Sequence, residues 1–413
     1  MMMNGTFTTA HAENLGQRRR ISRLGITIVV AVSAVSALMV AWFLVGILND
    51  SFGMIVVTYE VTPPSDLDEM NSDAIAELIR TGARAGVVRR FEQTDPLEER
   101  SRRELRGIAD RFVFQPSIER AWSLSQSLSQ RAEIEEFAQE VGGYVQFRAW
   151  VSPDLILNPI ERNPLQSGIR TALVGSLWIV ALSLAIAFPI GVATAIYLNE
   201  YTSDSSFSRF LRANIETMAS VPSIIYGILG LALFVRVLGP FTSGTALGAG
   251  EGGSVGRTIL SAGLTLSILV LPTIVISVRD LLENIPDSYR EACYAVGGRR
   301  STIIFRRLVP SIAGQLVTVL FAGISRVIGE TAPLLVVGAA AFITVDPTSV
   351  FSRFTALPAQ IFFWSARPQA GYRNLAAGAI VVLVILSIGI NIGLALIRRR
   401  LDLQASLGTE RNV

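Results

Sequence analysis

Long apolar runs separated by charged stretches are the dominant pattern of this chain. About 20 consecutive apolar residues are enough to cross a bilayer as an α-helix. The predicted transmembrane spans cover residues 24–48, 168–198, 218–239, 258–278, 311–338 and 374–397. The pattern therefore predicts an all-α polytopic membrane protein with six transmembrane helices.

The arginines predict the orientation of these spans, because basic residues concentrate on the cytoplasmic side of a membrane. They precede the first span between 18 and 23, lie in the loop 199–212, and follow the last span at 398–400. We therefore expect cytoplasmic tails at 1–23 and 401–413, in a multi-pass membrane protein. The first span is too long for a signal-peptide core and no clear cleavage site follows it, so we expect an uncleaved anchor.

Charged residues return between the first two spans, at 49–160. Apolar residues follow helical spacing at Ile75, Leu78 and Ile79, and again at Ile118, Trp122, Leu124 and Leu128. This spacing predicts a helical extracytoplasmic insert after the first span. The insert is either a spacer with solvated charged faces or a unit that contacts a partner or the neighbouring loops.

The composition excludes several classes of function. Half of the residues are hydrophobic (50%), which is too apolar for an ordinary soluble protein. The chain has one cysteine, Cys293, and one histidine, His11, which we expect in a solvated tail. An internal disulfide, a histidine triad and a zinc site are therefore excluded, and we expect no metal site and no cofactor. The sequence has no lysine, so it lacks a Walker A loop, and any ATP hydrolysis must come from partner subunits.

The stretch 283–310 lies between the fourth and fifth spans and predicts a short helix. Within it, "PDSYREACYAVG" opens with Asp287 or Ser288 as the expected N-cap. Gly297 or Gly298 is expected to end the helix in the C-cap position. A short, rigid helix of this kind can fit a groove on a partner and pass its motion to the spans. The alternative is a basic loop that binds anionic headgroups.

The same stretch resembles the EAA loop of bacterial ABC importer permeases. The matching positions are Glu291, Ala292, Gly297 and Pro310, in "EACYAVGGRRSTIIFRRLVP". The chain departs from the family pattern at Cys293, Arg307 and Val309. The resemblance implies that these four matching residues couple the chain to ATPase subunits.

Four blocks in order extend the resemblance over about 159–400: "IGVATAIYLNEY", "ASVPSIIYGILGLALFV", "GLTLSILVLPTIVISVRDLLENIPDSYREA" and "RVIGETAPLL". They resemble the PstA-type permease subunits of the high-affinity phosphate ABC importer. The resemblance implies a location in the bacterial inner membrane and a type I, MetI-like permease core at 161–400 that works by alternating access. The implied partners are a second permease subunit, two ATP-binding subunits that carry ATP and Mg²⁺, a periplasmic phosphate-binding protein, phosphate and membrane lipid, and no nucleic acid.

Two charged residues, Arg326 and Glu330, interrupt the predicted span 311–338. Each charge at the bilayer centre costs roughly 2.5–3.5 kcal/mol on insertion scales, so such residues usually face protein or water. Spaced four apart, they are expected on one helix face, either as a structural ion pair or as an anion contact held by Glu330. Arg236 and Arg279, near the ends of their spans, either snorkel to the interface or steer an anion.

Other functions stay open on the sequence alone. A permease for another oxyanion, such as sulfate or molybdate, has the same general features. A membrane-anchored sensor or scaffold that uses the insert is a different class, although an anchor needs neither intramembrane charges nor an EAA-type loop.

Overall fold

The computed structural model describes residues 5–410 except for 60–69, 84, 95, 203–204, 250–255 and 341, with side chains described within 25–400. The side chain of His11 and the predicted tails 1–23 and 401–413 lie outside the described side chains. The described helices are α1 (Gly5–Asp50), α2 (Ser72–Gly82), α3 (Ala85–Thr94), α4 (Arg102–Phe112), α5 (Leu124–Ser129), α6 (Arg131–Glu140), α7 (Pro153–Leu157), α8 (Arg170–Ile196), α9 (Ser206–Ser220), α10 (Ser223–Gly230), α11 (Gly239–Thr242), α12 (Ile259–Glu283), α13 (Asp287–Ala295), α14 (Arg300–Ile303), α15 (Val309–Ser311), α16 (Ala313–Gly329), α17 (Ala332–Val337), α18 (Leu357–Ser365) and α19 (Tyr372–Glu410). The strands are β1 (Phe52–Tyr59), β2 (Pro116–Ala121) and β3 (Tyr144–Ala149). Three π-helical turns follow helices, at Tyr197–Tyr201, Leu231–Val237 and Ile304–Leu308, and short 3₁₀ turns lie at Leu97–Glu99 and Thr245–Leu247.

Four helices in the described part of the chain are long and apolar enough to cross a membrane, and two bent pairs would raise the number to six. The four are Gly25–Asp50, Arg170–Tyr201, Ile259–Glu283 and Tyr372–Arg400. The bent pairs are Ser206–Ser220 with Ser223–Val237, at 100°, and Arg300–Ser311 with Ala313–Gly329, at 68°.

The third predicted span, 218–239, is not a straight helix. The sequence predicts a polar loop at 199–212, whereas α9 already begins at Ser206. A sharp bend at Val221 and Pro222 separates α9 from α10. Pro222 favours this break locally, because a residue that precedes proline is pushed out of the helical region, and Val221 is extended at φ −68° and ψ 132°.

The fifth predicted span, 311–338, is broken as well. Helix α16 ends at Gly329, Glu330 is extended at φ −78° and ψ 115°, and α17 begins at Ala332. Pro333 lies in the first turn of α17, where its missing N–H is tolerated. In an unbroken helix that N–H would be needed by the Gly329 carbonyl, so the chain stops one helix and starts another. The predicted outer loop 339–371 also contains a helix, α18.

The core of the membrane domain surrounds α12, which is largely buried. Glycines let its neighbours approach closely: a Cβ on Gly191 would lie 2.6 Å from Ile274, and one on Gly263 would lie 2.6 Å from Leu182. Small residues at such crossings are the usual means of packing membrane helices. In contrast, α1 and α19 keep apolar surfaces that the rest of the chain leaves exposed, as a lipid-facing helix requires.

The insert is a mixed α/β unit, so the prediction of a purely helical insert is wrong. Its sheet has the order β2-β1-β3 and is antiparallel throughout. The central strand is covered on both sides: Ile55 and Val57 pack towards α8 and α19, while Val56 packs with Ile134 of α6. Ile118, predicted to be helical, lies in β2.

Capping chemistry fixes the start of α4 in the insert. Ser101 is the N-cap, and its hydroxyl and backbone N–H both donate to a carboxylate oxygen of Glu104, at 2.9 and 3.0 Å. In return, the Glu104 backbone N–H donates to the Ser101 hydroxyl oxygen at 3.4 Å. This reciprocal arrangement is a capping box. The hydrogen bonds from Ser101 lower the pKa of Glu104, so the cap is strongest when that group is ionised.

The insert is attached to the membrane domain by specific polar contacts. Arg148 Nη2 donates to the Leu165 carbonyl at 2.6 Å, and Asn163 Nδ2 donates to the Pro116 carbonyl at 2.7 Å. Trp150, which follows β3, is buried among residues of α8, α18 and α19. Of the two alternatives for the insert, contact with neighbouring segments is the one observed. We call this end of the membrane domain the insert end, and the end that carries α13 the coupling end.

Candidate substrate path and coupling site

Arg326 connects two helices in the interior of the membrane domain. It lies one turn before the end of α16, and its Nη1 donates a hydrogen bond to Thr273 Oγ1 of α12 at 2.7 Å. Its side chain is 36% exposed. A guanidinium has five N–H donors, so this single bond leaves most of them available to a further acceptor.

Glu330 is only loosely paired with Arg326. The Nε–Oε1 distance is 3.9 Å, which is longer than a hydrogen bond. The predicted shared helix face is wrong in detail, because α16 ends at Gly329 and Glu330 is its extended C-cap residue. The carboxylate therefore stays near the guanidinium without occupying its donors.

The other two predicted path residues lie away from this pair. Arg279 is at the coupling end of α12, about 9 Å along the helix from Thr273. Its guanidinium pairs with Glu216 at 3.3 Å and with Glu283 at 3.2 Å, so its charge is already matched. Arg236 is exposed in the π-helical turn Leu231–Val237 towards the insert end. The structure thus brings Arg326 and Glu330 together and leaves Arg279 and Arg236 at opposite ends.

Helix α13 has the short, closed form that the sequence predicts, with a different N-cap. Pro286 is the N-cap residue and Asp287 is the first helical residue, so neither Asp287 nor Ser288 caps it. At the other end Gly297 is left-handed with φ +78°. The Gly297 N–H donates to the Tyr294 carbonyl at 2.9 Å and the next N–H donates to the Cys293 carbonyl, which forms a Schellman motif.

The surface of α13 is open. None of its residues is buried, and both Glu291 and Ala292 are exposed. The aromatic side chains of Tyr289 and Tyr294 add apolar area to the same short helix, at 40% and 47% exposure. An exposed helix with this mixture of apolar and charged groups has the composition of a docking surface.

Pro310 lies where the chain turns from the coupling end back into the membrane domain. It is in the first turn of α15, directly after the π-helical turn Ile304–Leu308. Proline removes one helical hydrogen bond, and the helix pair around it is bent by 68°. Its role in the structure is therefore to shape the path between α14 and α16.

Sequence analysis missed the most heavily bonded residue of this region, Arg290. Its Nη2 lies 3.0 Å from Glu200 Oε1, and it also donates to the carbonyls of Leu282 and Ile285 at 2.7 and 2.6 Å. Its partner Glu200 lies just after the predicted span 168–198. The available signal was an isolated carboxylate at the end of an apolar run, which needs a cation if it is buried.

The chemistry of these residues is that of binding and motion. Among the described residues, no group of three or more His, Cys, Asp or Glu could hold a metal ion. The groups that are present can contact an anion at Arg326 and can transmit force through α13.

The comparisons with known proteins match the part of the chain that contains these residues. A family model described as "Binding-protein-dependent transport system inner membrane component" matches residues 171–403. The chain is 34% identical over 165 residues to the phosphate transport system permease protein PstA homolog of Mycoplasma pneumoniae, covering 40% of this chain and 24% of that protein. It is 34% identical over 228 residues to the phosphate transport system permease protein PstA of Mycobacterium leprae, covering 54% and 68%. The probable ABC transporter permease protein YqgH of Bacillus subtilis is 33% identical over 185 residues, covering 44% and 56%.

Solved structures give more distant similarities. An inward-facing structure of the MetNI methionine ABC transporter is 21% identical, with a TM-score of 0.42, and the match covers 56% of this chain and 94% of that chain. A bacterial alginate ABC transporter in complex with its alginate-bound periplasmic protein is 13% identical, with a TM-score of 0.42, covering 56% and 78%. These similarities are too distant to bear on substrate or mechanism.

Proposed function

Because the chain belongs to the family of binding-protein-dependent transport system inner membrane components, we propose that it is the permease subunit of an ATP-driven phosphate importer. The family makes it a multi-pass membrane subunit of an ABC importer rather than an enzyme. Phosphate is the substrate named for the relatives from Mycoplasma pneumoniae and Mycobacterium leprae. The match covers less than a quarter of the first of these, so the substrate is part of the proposal.

The observation that carries the proposal is the free donor capacity of Arg326. Thr273 holds its Nη1 at 2.7 Å, while Glu330 stays at 3.9 Å. A guanidinium remains charged and offers two parallel N–H groups that match two oxygens of a phosphate. Arg326 is the proposed anion contact, at the point where α16 is interrupted and the substrate passes.

Glu330 is proposed to make this site select phosphate over other oxyanions. Phosphate keeps at least one proton near neutral pH, whereas sulfate and molybdate are fully deprotonated. A carboxylate beside the guanidinium accepts a hydrogen bond from a protonated oxyanion and repels one that has no proton to donate. Glu330 also weakens the hold of Arg326 on the anion, which lets the anion leave.

The two outlying arginines have smaller proposed roles. Arg236 is exposed towards the insert end, where a positive charge attracts an incoming anion. Arg279 is matched by Glu216 and Glu283. Its contribution to the path is therefore mainly to hold the coupling end together.

Residues 283–310, which contain α13 and α14 and which we call the coupling segment, are the proposed contact with the ATPase subunits. Helix α13 presents Glu291 and Ala292, Gly297 ends it, and Pro310 sets the bend that returns the chain to the membrane. In the proposed complex the core 161–400 pairs with a second permease subunit, and two ATP-binding subunits hold ATP and Mg²⁺ below. A periplasmic phosphate-binding protein delivers phosphate at the insert end. Both termini are then cytoplasmic.

Reconstituted transport tests this function. The complex in liposomes, with its ATPase subunits and binding protein, is expected to accumulate radiolabelled phosphate in the presence of ATP. A tenfold excess of unlabelled sulfate or molybdate should leave this uptake unchanged. Glu330→Gln should reduce the preference for phosphate over sulfate. Efficient competition by sulfate or molybdate would instead identify another oxyanion as the substrate.

A further inference from the structure

The C-terminal end of α8 carries a buried carboxylate on the π-helical turn Tyr197–Tyr201. Glu200 is only 5% exposed. An ionised carboxylate in such a place is costly unless it is paired and hydrogen-bonded. Arg290 of α13 supplies the charge, with its Nη2 3.0 Å from Glu200 Oε1, and Asn199 Nδ2 donates to the same oxygen at 2.9 Å. A buried ion pair thus joins α8 to α13.

The same guanidinium also binds the end of α12. Its Nη1 donates to the Ile285 carbonyl at 2.6 Å and its Nη2 donates to the Leu282 carbonyl at 2.7 Å. The last carbonyls of a helix have no partner within the helix, and a cation there is favoured by the helix dipole. Arg290 therefore holds the coupling-end termini of α8 and α12 at once.

Two further contacts hold the π-helical turn in place. The Arg300 guanidinium at the start of α14 lies over the Tyr201 ring, 5.3 Å from its centroid. On the other side, Arg212 Nη2 of α9 donates to the Leu198 carbonyl at 2.9 Å. Adjacent residues of one turn, Glu200 and Tyr201, thus contact both helices of the coupling segment.

We propose that this turn is the element through which a displacement of the coupling segment reaches α8, with Glu200 and Arg290 as positioning residues. The proposal rests on the proposed docking of α13 to an ATPase subunit. The coupling segment is joined covalently to α12 and, through α14, to α16. In contrast, Glu200 and Arg290 are 90 residues apart in the chain, so α8 contacts α13 directly only through non-covalent bonds, in addition to its packing along α12. The pair resists separation, because Glu200 would be left as a buried unpaired charge, whereas Arg290 would keep, among the described carboxylates, only the exposed Asp287 at 3.2 Å.

Labelling of the single cysteine of the chain measures whether α13 remains packed against the membrane domain. Cys293 lies on α13, is half-buried, and packs against the core of the membrane domain. In the complete complex in nanodiscs, Glu200→Gln is expected to raise the N-ethylmaleimide labelling rate of Cys293 about 5- to 10-fold, because loss of the ion pair lets α13 separate from the membrane domain more often. This factor is at the low end of typical coupling between two sites. Phosphate moved per ATP hydrolysed, measured with the same complex in proteoliposomes, should fall by a similar factor. Glu200→Asp, which keeps the charge, should recover part of both.

Glu135→Gln is the matched control, because Glu135 of α6 also pairs with an arginine, Arg131 at 3.0 Å, but is 55% exposed and lies on the insert. Exposed pairs contribute little, so both quantities should stay within about twofold of the parent. If Glu200→Gln shows the parental labelling rate of Cys293 and moves the parental amount of phosphate per ATP, the proposal is overturned. If that variant does not assemble, Tyr201→Leu decides: it should raise labelling about threefold, and a parental rate would overturn the proposal equally. If the parent imports no phosphate, the substrate assignment fails. The labelling rates of Cys293 still test the contact between Glu200 and Arg290.

Discussion

The guanidinium of Arg326 is held by the hydroxyl of Thr273, on a different helix, and not by the carboxylate of Glu330 that follows it in sequence. The first contact is a hydrogen bond of 2.7 Å and the second is a separation of 3.9 Å. A purely structural ion pair would show the reverse order. The arrangement fixes the position of the guanidinium while leaving its charge only partly compensated, which is what an anion contact requires.

Thr273→Val should weaken transport without abolishing it. Valine keeps the size of threonine and removes the acceptor, so Arg326 loses its anchor but keeps its charge. A hydrogen bond to a charged group contributes about 1.5–3 kcal/mol, and water replaces part of it at a half-exposed site. We expect the efficiency of phosphate uptake to fall about 3- to 10-fold, measured as initial rates over a range of phosphate concentrations.

Thr273→Ser is the control for this substitution, because it retains the hydroxyl. It should transport within about twofold of the parent, since the hydrogen bond to a charged group is kept. Equal losses in the serine and valine variants would assign the effect to packing of α12 rather than to the contact with Arg326.

Arg326→Ala should abolish phosphate uptake while the complex still assembles. Two charge-assisted hydrogen bonds to the anion together contribute about 3 kcal/mol or more, which corresponds to at least about a 100-fold loss in rate. Uptake into proteoliposomes measures the loss, and co-purification of the partner subunits measures assembly. Arg131→Ala, on the surface of α6, should behave as the parent, because its exposed pair with Glu135 is remote from the path. Substantial phosphate uptake by Arg326→Ala would remove this residue from the proposed path.

Gly297→Pro should uncouple ATP hydrolysis from transport. Gly297 has φ +78°, which proline is unable to adopt, and its N–H donates to the Tyr294 carbonyl at 2.9 Å. The substitution therefore destroys the Schellman motif that ends α13. We expect ATP hydrolysis by the assembled complex to continue while phosphate moved per ATP falls sharply, measured in the same proteoliposomes.

Gly297→Asn is the control. It tests whether coupling needs the left-handed backbone conformation at this position or the absence of a side chain. Asparagine tolerates the left-handed region, and a Cβ at this position meets no atom within 4 Å. The asparagine variant should therefore stay coupled. Normal coupled turnover in the proline variant would contradict the proposed role of α13 in coupling ATP hydrolysis to transport.

The sequence was sufficient for the four long apolar helices but not for the interruptions in the other two predicted spans. The length of an apolar run predicts that a segment can span, because the cost of leaving backbone groups unpaired in lipid forces it to be helical. It does not predict where a proline ends a helix and where it only bends one. Pro189 and Pro272 lie inside intact helices, whereas Pro222 and Pro333 lie at breaks. The difference comes from tertiary packing, such as the close approach of Gly227 to Pro333.

The sheet and the role of Arg290 needed three-dimensional information. Strand β1 follows α1 almost directly and is buried on both faces, so it lacks the alternation that marks a half-buried strand. It therefore merges with the apolar run of the first span. The partner of Arg290 is 90 residues away, and no local spacing points to it. In contrast, the Schellman end of α13 depends on a single local glycine, Gly297, and could be predicted.

Gly378→Val should loosen the insert from the membrane domain. A Cβ on Gly378 of α19 would lie 3.1 Å from the Trp150 carbonyl oxygen and 3.2 Å from its carbon, so valine has no room beside this backbone. Trp150 connects β3 to the membrane domain, and overpacking of such a contact costs about 1–3 kcal/mol. We expect faster tryptic cleavage at the arginines of the insert and a lower melting temperature. Gly389→Val makes the same change on the same helix where no atom lies within 4 Å, and it should be cleaved at the parental rate. Equal cleavage rates in the two valine variants would show that the junction at Trp150 does not hold the insert in place.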